Sequence, residues 1–267
     1  MNIAILFICT GRYNQFFKDF YESCEKYFLK NIANIEYIVF TDDYSITDSP
    51  KVHLHHKDCQ GFPMDSLMRF DMFLSVKEEL EKYDYCFFFN ANMLFVDYVG
   101  EEFLPTASGL MAVTHPGYYN KPAFLYPYER RLKSTAYIPP FKNEYRYYMG
   151  SLNGGKTSDY LKLIKTCSDN IHKDLDNGII AIFHDESQLN KYLSEHACST
   201  VSPAYAFPEG ANLPFAPKIL IRDKTKVDSY FNKGRDRTIY GRIKQAFYIA
   251  IRGVCWFLKI SINPVIK

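Results

Sequence analysis

The chain has 267 residues, of which 47% are hydrophobic and 23% charged, a balance typical of a globular protein with one large or two small domains. Its seven cysteines are scattered and form no CxxC pair, which argues against a disulfide framework and a zinc site and for a reducing compartment. The sequence shows neither a secretory signal nor about 20 consecutive uncharged apolar residues, so we expect no cleaved leader and no membrane span.

The first half of the chain alternates predicted strands with predicted helices. Apolar runs that end at turn residues predict buried strands, and apolar residues at helical spacing predict helices. Strands are predicted at 3–9, 36–41, 52–56 and 85–89, and helices at 16–29 and 65–83. This alternation predicts an α/β fold of right-handed βαβ units, with a Rossmann-like, mainly parallel sheet flanked by helices.

The second half is less regular. We predict strands at 109–113 and 219–222, helices at 158–174 and 184–193, and a loop of small residues at 150–155. Ligands of open α/β sheets bind beyond the carboxyl ends of the strands. We therefore expect the loops after Ile8, Phe89 and Val113 to line the functional site.

Two amides follow the most apolar predicted strand, in Asn90-Ala91-Asn92. Asn is common at strand ends and turns, which is one explanation. The other is that this is the position where many nucleotide-sugar enzymes carry Asp-x-Asp, whose carboxylates hold a divalent cation on the diphosphate. Neutral Asn is a poor anchor for such a cation. In that case Arg, Lys and backbone N–H groups must balance the diphosphate charge instead.

Two adjacent acids begin a predicted helix in His184-Asp185-Glu186-Ser187. Acids at this position stabilise the helix dipole, which is a sufficient structural reason for them. Alternatively, one carboxylate faces an oxocarbenium-like anomeric centre as nucleophile or electrostatic stabiliser. Adjacent helical residues point about 100° apart, so the two acids are expected to have different roles.

The segment 8–13 (ICTGRY) follows the first predicted strand. It is either an ordinary strand-to-helix loop or a site where backbone groups bind a uracil edge and Tyr13 packs on the base. It lacks the GxGxxG pattern, which disfavours a dinucleotide-binding site.

Other charged residues also have two interpretations. The histidines at 53, 55 and 56 are followed by no Cys or acid cluster, so we interpret them as surface residues rather than metal ligands. Arg130-Arg131, and Arg222 with Lys224, are either solvated charges or a diphosphate-binding site.

Several segments, taken together and in this order, resemble glycosyltransferase family 6, which includes the histo-blood-group A and B transferases, the α-1,3-galactosyltransferases and bacterial members. The resemblance covers about residues 2–226. Its segments are 37–42 (YIVFTD), 88–92 (FFNAN), 115–119 (HPGYY), 128–131 (YERR), 136–139 (AYIP), 147–148 (YY), 154–155 (GG), 184–187 (HDES), 189–192 (LNKY) and 202–203 (SP).

The resemblance implies a GT-A fold, with a catalytic domain at 1–236 made of a UDP-binding half (about 1–110) and an acceptor half (about 111–226). It implies a retaining enzyme that forms an α-1,3 linkage. The donor is a UDP-sugar that carries galactose or N-acetylgalactosamine. The acceptor is a galactoside, with or without fucose (H-type), in surface glycan or O-antigen synthesis. No nucleic-acid partner is expected.

The resemblance also assigns residues one by one. It places Ile8, Cys9, Thr10 and Tyr13 at the uridine, Arg69 and Asp185 at the donor, Asn90, Ala91 and Asn92 in the Asp-x-Asp position, His115 at the acceptor galactose, and Glu186 as the catalytic carboxylate, which also faces the acceptor.

The sequence departs from the family pattern at the metal site. The Asn-Ala-Asn segment resembles the family's bacterial, metal-independent branch, so no metal cofactor is predicted. Lys224 is the candidate for the compensating positive charge, with Arg222 beside it.

Further departures lie at the sugar sites. Phe183 stands where the mammalian enzymes have Trp, so we expect altered acceptor stacking. Pro127 replaces a Thr or Ser and removes one hydroxyl contact. Met149 and Ser151 occupy the two positions that separate galactose from N-acetylgalactosamine transfer. Their bulk is expected to crowd an N-acetyl group, which favours galactose.

The end of the chain lies outside the resemblance. After Asp236 the sequence contains six basic residues and no acidic one, and 239–260 mixes these with aliphatic and aromatic residues. This pattern predicts that the tail, 237–267, is an amphipathic helix on an anionic membrane surface, where a lipid-linked acceptor would be met. The alternative is a helix docked on the catalytic domain or a partner. We expect a bacterial cytoplasmic enzyme, peripheral on the inner face of the membrane.

Two other functions remain open from the sequence. A UDP-sugar hydrolase or unrelated transferase of this fold would release free sugar regardless of acceptor. A sugar-binding or scaffolding protein on a decayed enzyme fold would show no turnover that depends on Glu186.

Overall fold

The computed structural model describes residues 1–106, 108–141, 144–232 and 238–258. Its strands are β1 (Asn2–Cys9), β2 (Asn34–Thr41), β3 (Val52–His56), β4 (Tyr85–Asn90), β5 (Met93–Phe95), β6 (Leu110–Thr114), β7 (Tyr148–Lys156), β8 (Ser199–Val201), β9 (Phe207–Pro208) and β10 (Ile219–Ile221). Its helices are α1 (Phe17–Tyr27), α2 (Met64–Leu67), α3 (Arg69–Ser75), α4 (Lys77–Leu80), α5 (Thr157–Asp176), α6 (His184–Leu193), α7 (Lys224–Val227) and α8 (Ile239–Phe257).

Seven strands form the main sheet in the order β3-β2-β1-β4-β7-β6-β8. The first four pair in parallel, with Ile5 of β1 opposite Tyr37 of β2 and Phe87 of β4. β7 is antiparallel to both of its neighbours, and β8 pairs in parallel with β6. A smaller sheet contains β5, β10 and β9, so the strand predicted at 219–222 exists but lies outside the main sheet. The prediction of a mostly parallel α/β fold flanked by helices is confirmed.

Both faces of the main sheet are buried under aromatic-rich cores. Successive residues of β1 point to opposite faces, so Ile5 and Phe7 join one core, whereas Ala4 and Leu6 join the other. A strand buried on both faces needs apolar residues at every position. This explains the continuous apolar runs that predicted β1 and β4.

The single helix predicted at 65–83 is wrong, because the structure has three short helices there, α2, α3 and α4. The backbone leaves helical geometry at Met68 (φ −90°, ψ 14°) and at Val76 (φ −116°, ψ 22°). Leu67 and Leu80 both pack in the same core. On one straight helix they would point about 140° apart, so the breaks are what direct both side chains to the sheet.

The small-residue loop predicted at 150–155 is also wrong, because these residues belong to β7. A Cβ on Gly154 would lie 2.3 Å from the carbonyl oxygen of Cys86 in β4, and one on Gly155 would lie 2.2 Å from the carbonyl oxygen of Gly109. The glycines therefore permit close backbone approach within the sheet rather than a turn.

The C-terminal helix α8 docks on the second half of the domain. Trp256 is buried, and its indole N–H donates to the carbonyl oxygen of Ile138 at 2.8 Å. Gly253 lies so close to Phe124 that a Cβ there would be 2.0 Å from its carbonyl oxygen. The alternative of a docked helix is therefore correct for this face of α8.

The predicted tail is only partly described. Arg237, Lys259 and Lys267 lie outside the described residues. Over the described ranges, no helix combines the length and apolar character needed to cross a membrane. The domain boundaries at 1–236 and 237–267, and the division near residue 110, stay predictions.

Candidate active site

The loop after β1 is fixed by Asp42, which follows β2. The Gly11 amide donates to both carboxylate oxygens of Asp42, at 2.9 and 2.8 Å, and the side-chain amide of Asn14 donates to one of them at 2.7 Å. Gly11 has φ +54°, a left-handed conformation that glycine adopts without strain. Burial raises the pKa of the Cys9 thiol to about 12, so it remains a neutral group. The predicted uridine residues thus end β1 and enter an ordered turn toward Tyr13.

The two predicted amides tie the end of β4 to the end of β10. Asn90 lies beside Ile8 in the sheet, and its side-chain N–H donates to the Asn92 side-chain oxygen at 3.0 Å. The Asn92 side-chain N–H in turn donates to the carbonyl oxygen of Arg222 at 2.8 Å. Ala91 between them is buried in the core. This link brings the cationic segment after β10 to the carboxyl end of the main sheet.

The two cations of that segment differ in what they bind. The Arg222 guanidinium pairs with Asp19 at 2.7 Å and lies over the ring of Phe16. The Lys224 ammonium donates to the Tyr13 hydroxyl at 2.8 Å, and in the described part of the chain it has no carboxylate partner. Lys224 is therefore the cation whose charge is still available to an anionic ligand beside Tyr13.

Glu186 lies in the first turn of α6, with both carboxylate oxygens held. The Tyr147 hydroxyl donates to Oε1 at 2.5 Å and the Gly150 amide donates to Oε2 at 2.7 Å. A Cβ on Gly150 would lie 3.0 Å from the Cβ of Glu186, so any larger residue would have to displace Glu186 by a few tenths of an ångström. The Asn190 side chain bonds to the carbonyl oxygens of Tyr148 and Glu186, which fixes α6 on β7.

Tyr147 is a permanent donor to Glu186. Its side chain is 2% exposed and packs among Tyr118, Tyr126 and Tyr128. Burial, and then the charge of Glu186, raise the pKa of Tyr147 well above its usual range. The hydroxyl therefore keeps its proton at neutral pH and orients the carboxylate.

The neighbouring acid, Asp185, has a different partner, as the helical geometry predicted. It forms a buried ion pair with Arg69 of α3, whose guanidinium lies 4.3 Å from the ring centre of Phe88. Burial lowers the pKa of Arg69 to about 10, which leaves it charged at neutral pH. The Arg69 Nε atom is buried and has no partner among the described residues. The pair joins α3 to the start of α6 and so helps to fix the helical turn that carries Glu186.

Of the predicted acceptor residues, His115 packs against Tyr147, which holds the Glu186 carboxylate. The His115 Nδ1 accepts from the Gly117 amide at 3.0 Å, and the His115 ring centre is 5.6 Å from that of Tyr147. Burial lowers the pKa of His115, so the ring is neutral, and the bond that Nδ1 accepts leaves the proton on Nε2. Phe183 is half-buried immediately before α6.

Met149 and Ser151 flank Gly150 in β7. Met149 is half-buried against the core that contains Ile5 and Phe7 of β1. The Ser151 hydroxyl is buried and has no hydrogen-bond partner in the described part of the chain. A buried hydroxyl without a partner is costly, so this group is suited to a polar ligand.

Arg130 and Arg131 have structural roles instead of lying free for a diphosphate. Arg131 pairs with the buried Glu129 at 2.8 Å. Arg130 donates to two backbone carbonyls and lies 5.1 Å from the ring centre of Trp256. Arg130 therefore belongs to the surface on which α8 docks, and Arg131 neutralises the buried Glu129.

The histidines that follow β2 bind carboxylates. His53 and His55 each contact Glu79 at 2.9 Å. Across residues 1–106, 108–141, 144–232 and 238–258, no three His, Cys, Asp or Glu side chains are grouped to hold a metal ion.

Sequence reasoning assigned no role to Tyr147, Gly150 or Asp42. Tyr147 lies in a matched Tyr-Tyr segment, but only the fold shows which of the two hydroxyls reaches Glu186. Gly150 falls in the predicted loop, and only its position in β7 shows that its amide donates to Glu186.

The profile of glycosyltransferase family 6 matches residues 1–229. The chain is 39% identical to the O-antigen biosynthesis glycosyltransferase WbnI of Escherichia coli, over 87% of this chain and 99% of that protein. It is 34% identical to histo-blood group ABO system transferase 1 of Rattus norvegicus, over 78% of this chain and 61% of that protein. It is 29% identical to globoside alpha-1,3-N-acetylgalactosaminyltransferase 1 of Gallus gallus, over 88% of this chain and 70% of that protein.

The chain therefore belongs to glycosyltransferase family 6. This confirms the resemblance drawn from the sequence and makes the protein a transferase. The match ends before α8.

Proposed function

We propose that this protein is a retaining α-1,3-glycosyltransferase of GT-A fold, which moves galactose from UDP-galactose to a galactoside acceptor. The observation that carries the proposal is the position of Glu186, held by the Tyr147 hydroxyl and the Gly150 amide at the carboxyl end of the sheet. A carboxylate fixed in this way is suited to face an anomeric carbon that develops positive charge.

In the proposed reaction the bond between C1 of the sugar and the diphosphate breaks, and UDP leaves with the electron pair. Glu186 either stabilises the positive charge as an ion pair or bonds to C1 as a glycosyl-enzyme, whose bond between C1 and the carboxylate breaks again when the acceptor attacks. The acceptor hydroxyl attacks from the face that UDP has left and gives its proton to the departing phosphate, so the configuration at C1 is retained.

The leaving diphosphate is balanced without a metal ion in this proposal. Asn90 and Asn92 are neutral and are bonded to each other, whereas Lys224 lies next to Tyr13 with no carboxylate partner among the described residues. Lys224 and backbone N–H groups then stabilise the charge that develops on UDP. Arg222 contributes less, because Asp19 already pairs with it.

Galactose is preferred over N-acetylgalactosamine as the donor sugar. The preference is supported by Met149 beside Gly150, and by the Ser151 hydroxyl, which is small enough to bond to a sugar hydroxyl but fills space an acetamide would need. The relatives' names do not decide the question, because one names N-acetylgalactosamine and another an O-antigen.

The acceptor is proposed to be a lipid-linked galactoside, with or without fucose, of a surface glycan made on the cytoplasmic side of a bacterial membrane. His115, with its free Nε2 proton, is positioned to bind a hydroxyl of that galactose, and Phe183 to pack on its ring. The exposed apolar side of α8 supports a location at the membrane.

The experiment offers UDP-galactose or UDP-N-acetylgalactosamine with a panel of galactosides, with and without fucose, in EDTA and in manganese, and detects products by mass spectrometry. We expect transfer of galactose in EDTA. Transfer only with manganese would contradict the metal-free proposal. Free sugar released at the same rate without acceptor would identify a hydrolase, and no turnover across a wide panel would identify a binding protein.

A further inference from the structure

The helix α8 has two opposite faces with different surroundings. Tyr248, Arg252 and Trp256 share the docked face, where Arg252 and Trp256 are buried. Ile243, Phe247 and Leu258, by contrast, are 62%, 66% and 63% exposed.

The exposed residues form a continuous stripe. Helical geometry places five of them within an arc of about 80°, centred about 140° away from Arg252 in the middle of the docked face. We call this set the outer face of α8: Ile243, Phe247, Ile251, Val254 and Leu258. In the described ranges no other segment contacts it closely enough to bury it. A contiguous exposed stripe of five large apolar side chains is uncommon on a protein surface unless it binds a partner or a membrane.

The charge of the segment indicates what covers the outer face. Every charged residue of α8 is basic, including the exposed Lys244, and the sequence contains no acidic residue after Asp236. A second copy of α8 would bring like charges together. An anionic lipid surface offers both an apolar layer for the stripe and negative charge for the exposed Lys244.

We propose that the outer face of α8 binds an anionic lipid surface while its other face stays docked on the catalytic domain. The lipid binding itself does not depend on the proposed function. Only its purpose, which is to bring the acceptor site to a lipid-linked glycan, rests on that function.

The docking fixes which side of the enzyme meets the membrane. Trp256 packs on Tyr128 with ring centres 6.0 Å apart, and Tyr128 packs on Tyr147 at 5.5 Å. Tyr147 holds Glu186. The lipid-binding helix and the acceptor side of the active site are therefore parts of one packed block, so binding of α8 holds the site in a fixed orientation relative to the bilayer.

The test is co-sedimentation of the full chain with phosphatidylcholine vesicles, with and without phosphatidylglycerol. We expect binding that requires phosphatidylglycerol, weakens with salt, and falls at least about tenfold in Phe247→Glu. Leu132→Glu is the matched control, since Leu132 is an exposed leucine outside α8 and the same charge is added. This control should bind as the wild type does.

Three results would overturn the proposal: no vesicle binding by the wild type, equal binding by Phe247→Glu, or a dimer in solution that Phe247→Glu dissociates in the absence of vesicle binding. The last would make a second copy the occupant. Galactose transfer to a water-soluble acceptor is measured on the same variants and should be unchanged. Failure of transfer with vesicle binding intact would count against the proposed function and not against the lipid-binding face.

Discussion

Replacing Tyr147 by Phe removes one hydroxyl from the centre of the proposed mechanism. In the wild type this hydroxyl donates to Glu186 Oε1 at 2.5 Å. A hydrogen bond to a charged group contributes about 1.5–3 kcal/mol, which corresponds to roughly a 10- to 150-fold change in rate if the orientation of Glu186 matters only in the transition state. We therefore expect kcat to fall by about one to two orders of magnitude, with KM for the UDP-sugar nearly unchanged.

The fold should tolerate this change. The ring of Tyr147 keeps its contacts with Tyr118 and Tyr128, and Glu186 is half-buried, so water can reach the vacated position. The assay is initial-rate kinetics with a soluble galactoside, together with thermal unfolding.

Tyr148→Phe is the matched control, because the Tyr148 hydroxyl bonds to Thr200 at 2.9 Å and not to Glu186. The reasoning would be refuted if Tyr147→Phe kept at least half of the wild-type kcat, or if the control lost as much activity. A loss that appears only in KM for the donor would assign Tyr147 to binding instead of to orientation of the carboxylate.

Three further changes test other parts of the site. Asp185→Asn leaves Arg69 as a buried charge without its ion-pair partner, so the free energy of unfolding should fall by about 3–5 kcal/mol in urea denaturation, and a loss below about 1 kcal/mol would mean the pair is not buried in solution. Lys224→Met should lower kcat/KM for UDP-galactose by roughly 10- to 100-fold in EDTA, and a variant with wild-type kinetics would remove Lys224 from the diphosphate site. Gly150→Ala forces a methyl group to 3.0 Å from the Glu186 Cβ, so kcat should fall more than thermal stability does, whereas unchanged kinetics would show that β7 relaxes freely.

The continuous apolar runs of β1 and β4 predicted these two strands, because residues buried on both faces of a sheet must be apolar at every position. The prediction failed at 150–155, because a run of small residues occurs both in turns and in strands whose neighbouring backbones approach closely. Gly154 and Gly155 lie in β7 because neighbouring backbones approach them closely, which depends on Cys86 and Gly109 far away in sequence. No local pattern distinguishes such glycines from those of a turn.

The helix predicted at 65–83 failed for a related reason. Its apolar residues fit helical spacing locally, but Leu67 and Leu80 must both face one core, and only breaks at Met68 and Val76 permit this. The direction in which the sheet lies is tertiary information that spacing does not contain.

For the site, the sequence supplied the residue types, and the fold supplied their partners. Lys224, with Arg222 beside it, is the candidate cation in the sequence, but only the structure shows that Asp19 pairs with Arg222 and leaves Lys224 without a carboxylate partner among the described residues. Likewise, the adjacent acids 185 and 186 were expected to differ, and the structure shows that one pairs with Arg69 and the other with Tyr147.

The central claim is that Glu186 supports transfer with retention and without a metal ion. The most direct measurement is the NMR analysis of the product formed from UDP-galactose and a galactoside in EDTA, by the wild type and by Glu186→Gln, with UDP binding as the check that the variant is folded. We predict an α-linked product from the wild type and a loss of at least about a thousandfold in rate for the variant with UDP binding retained. A β-linked product, or a Glu186→Gln variant with near wild-type turnover, would contradict the account.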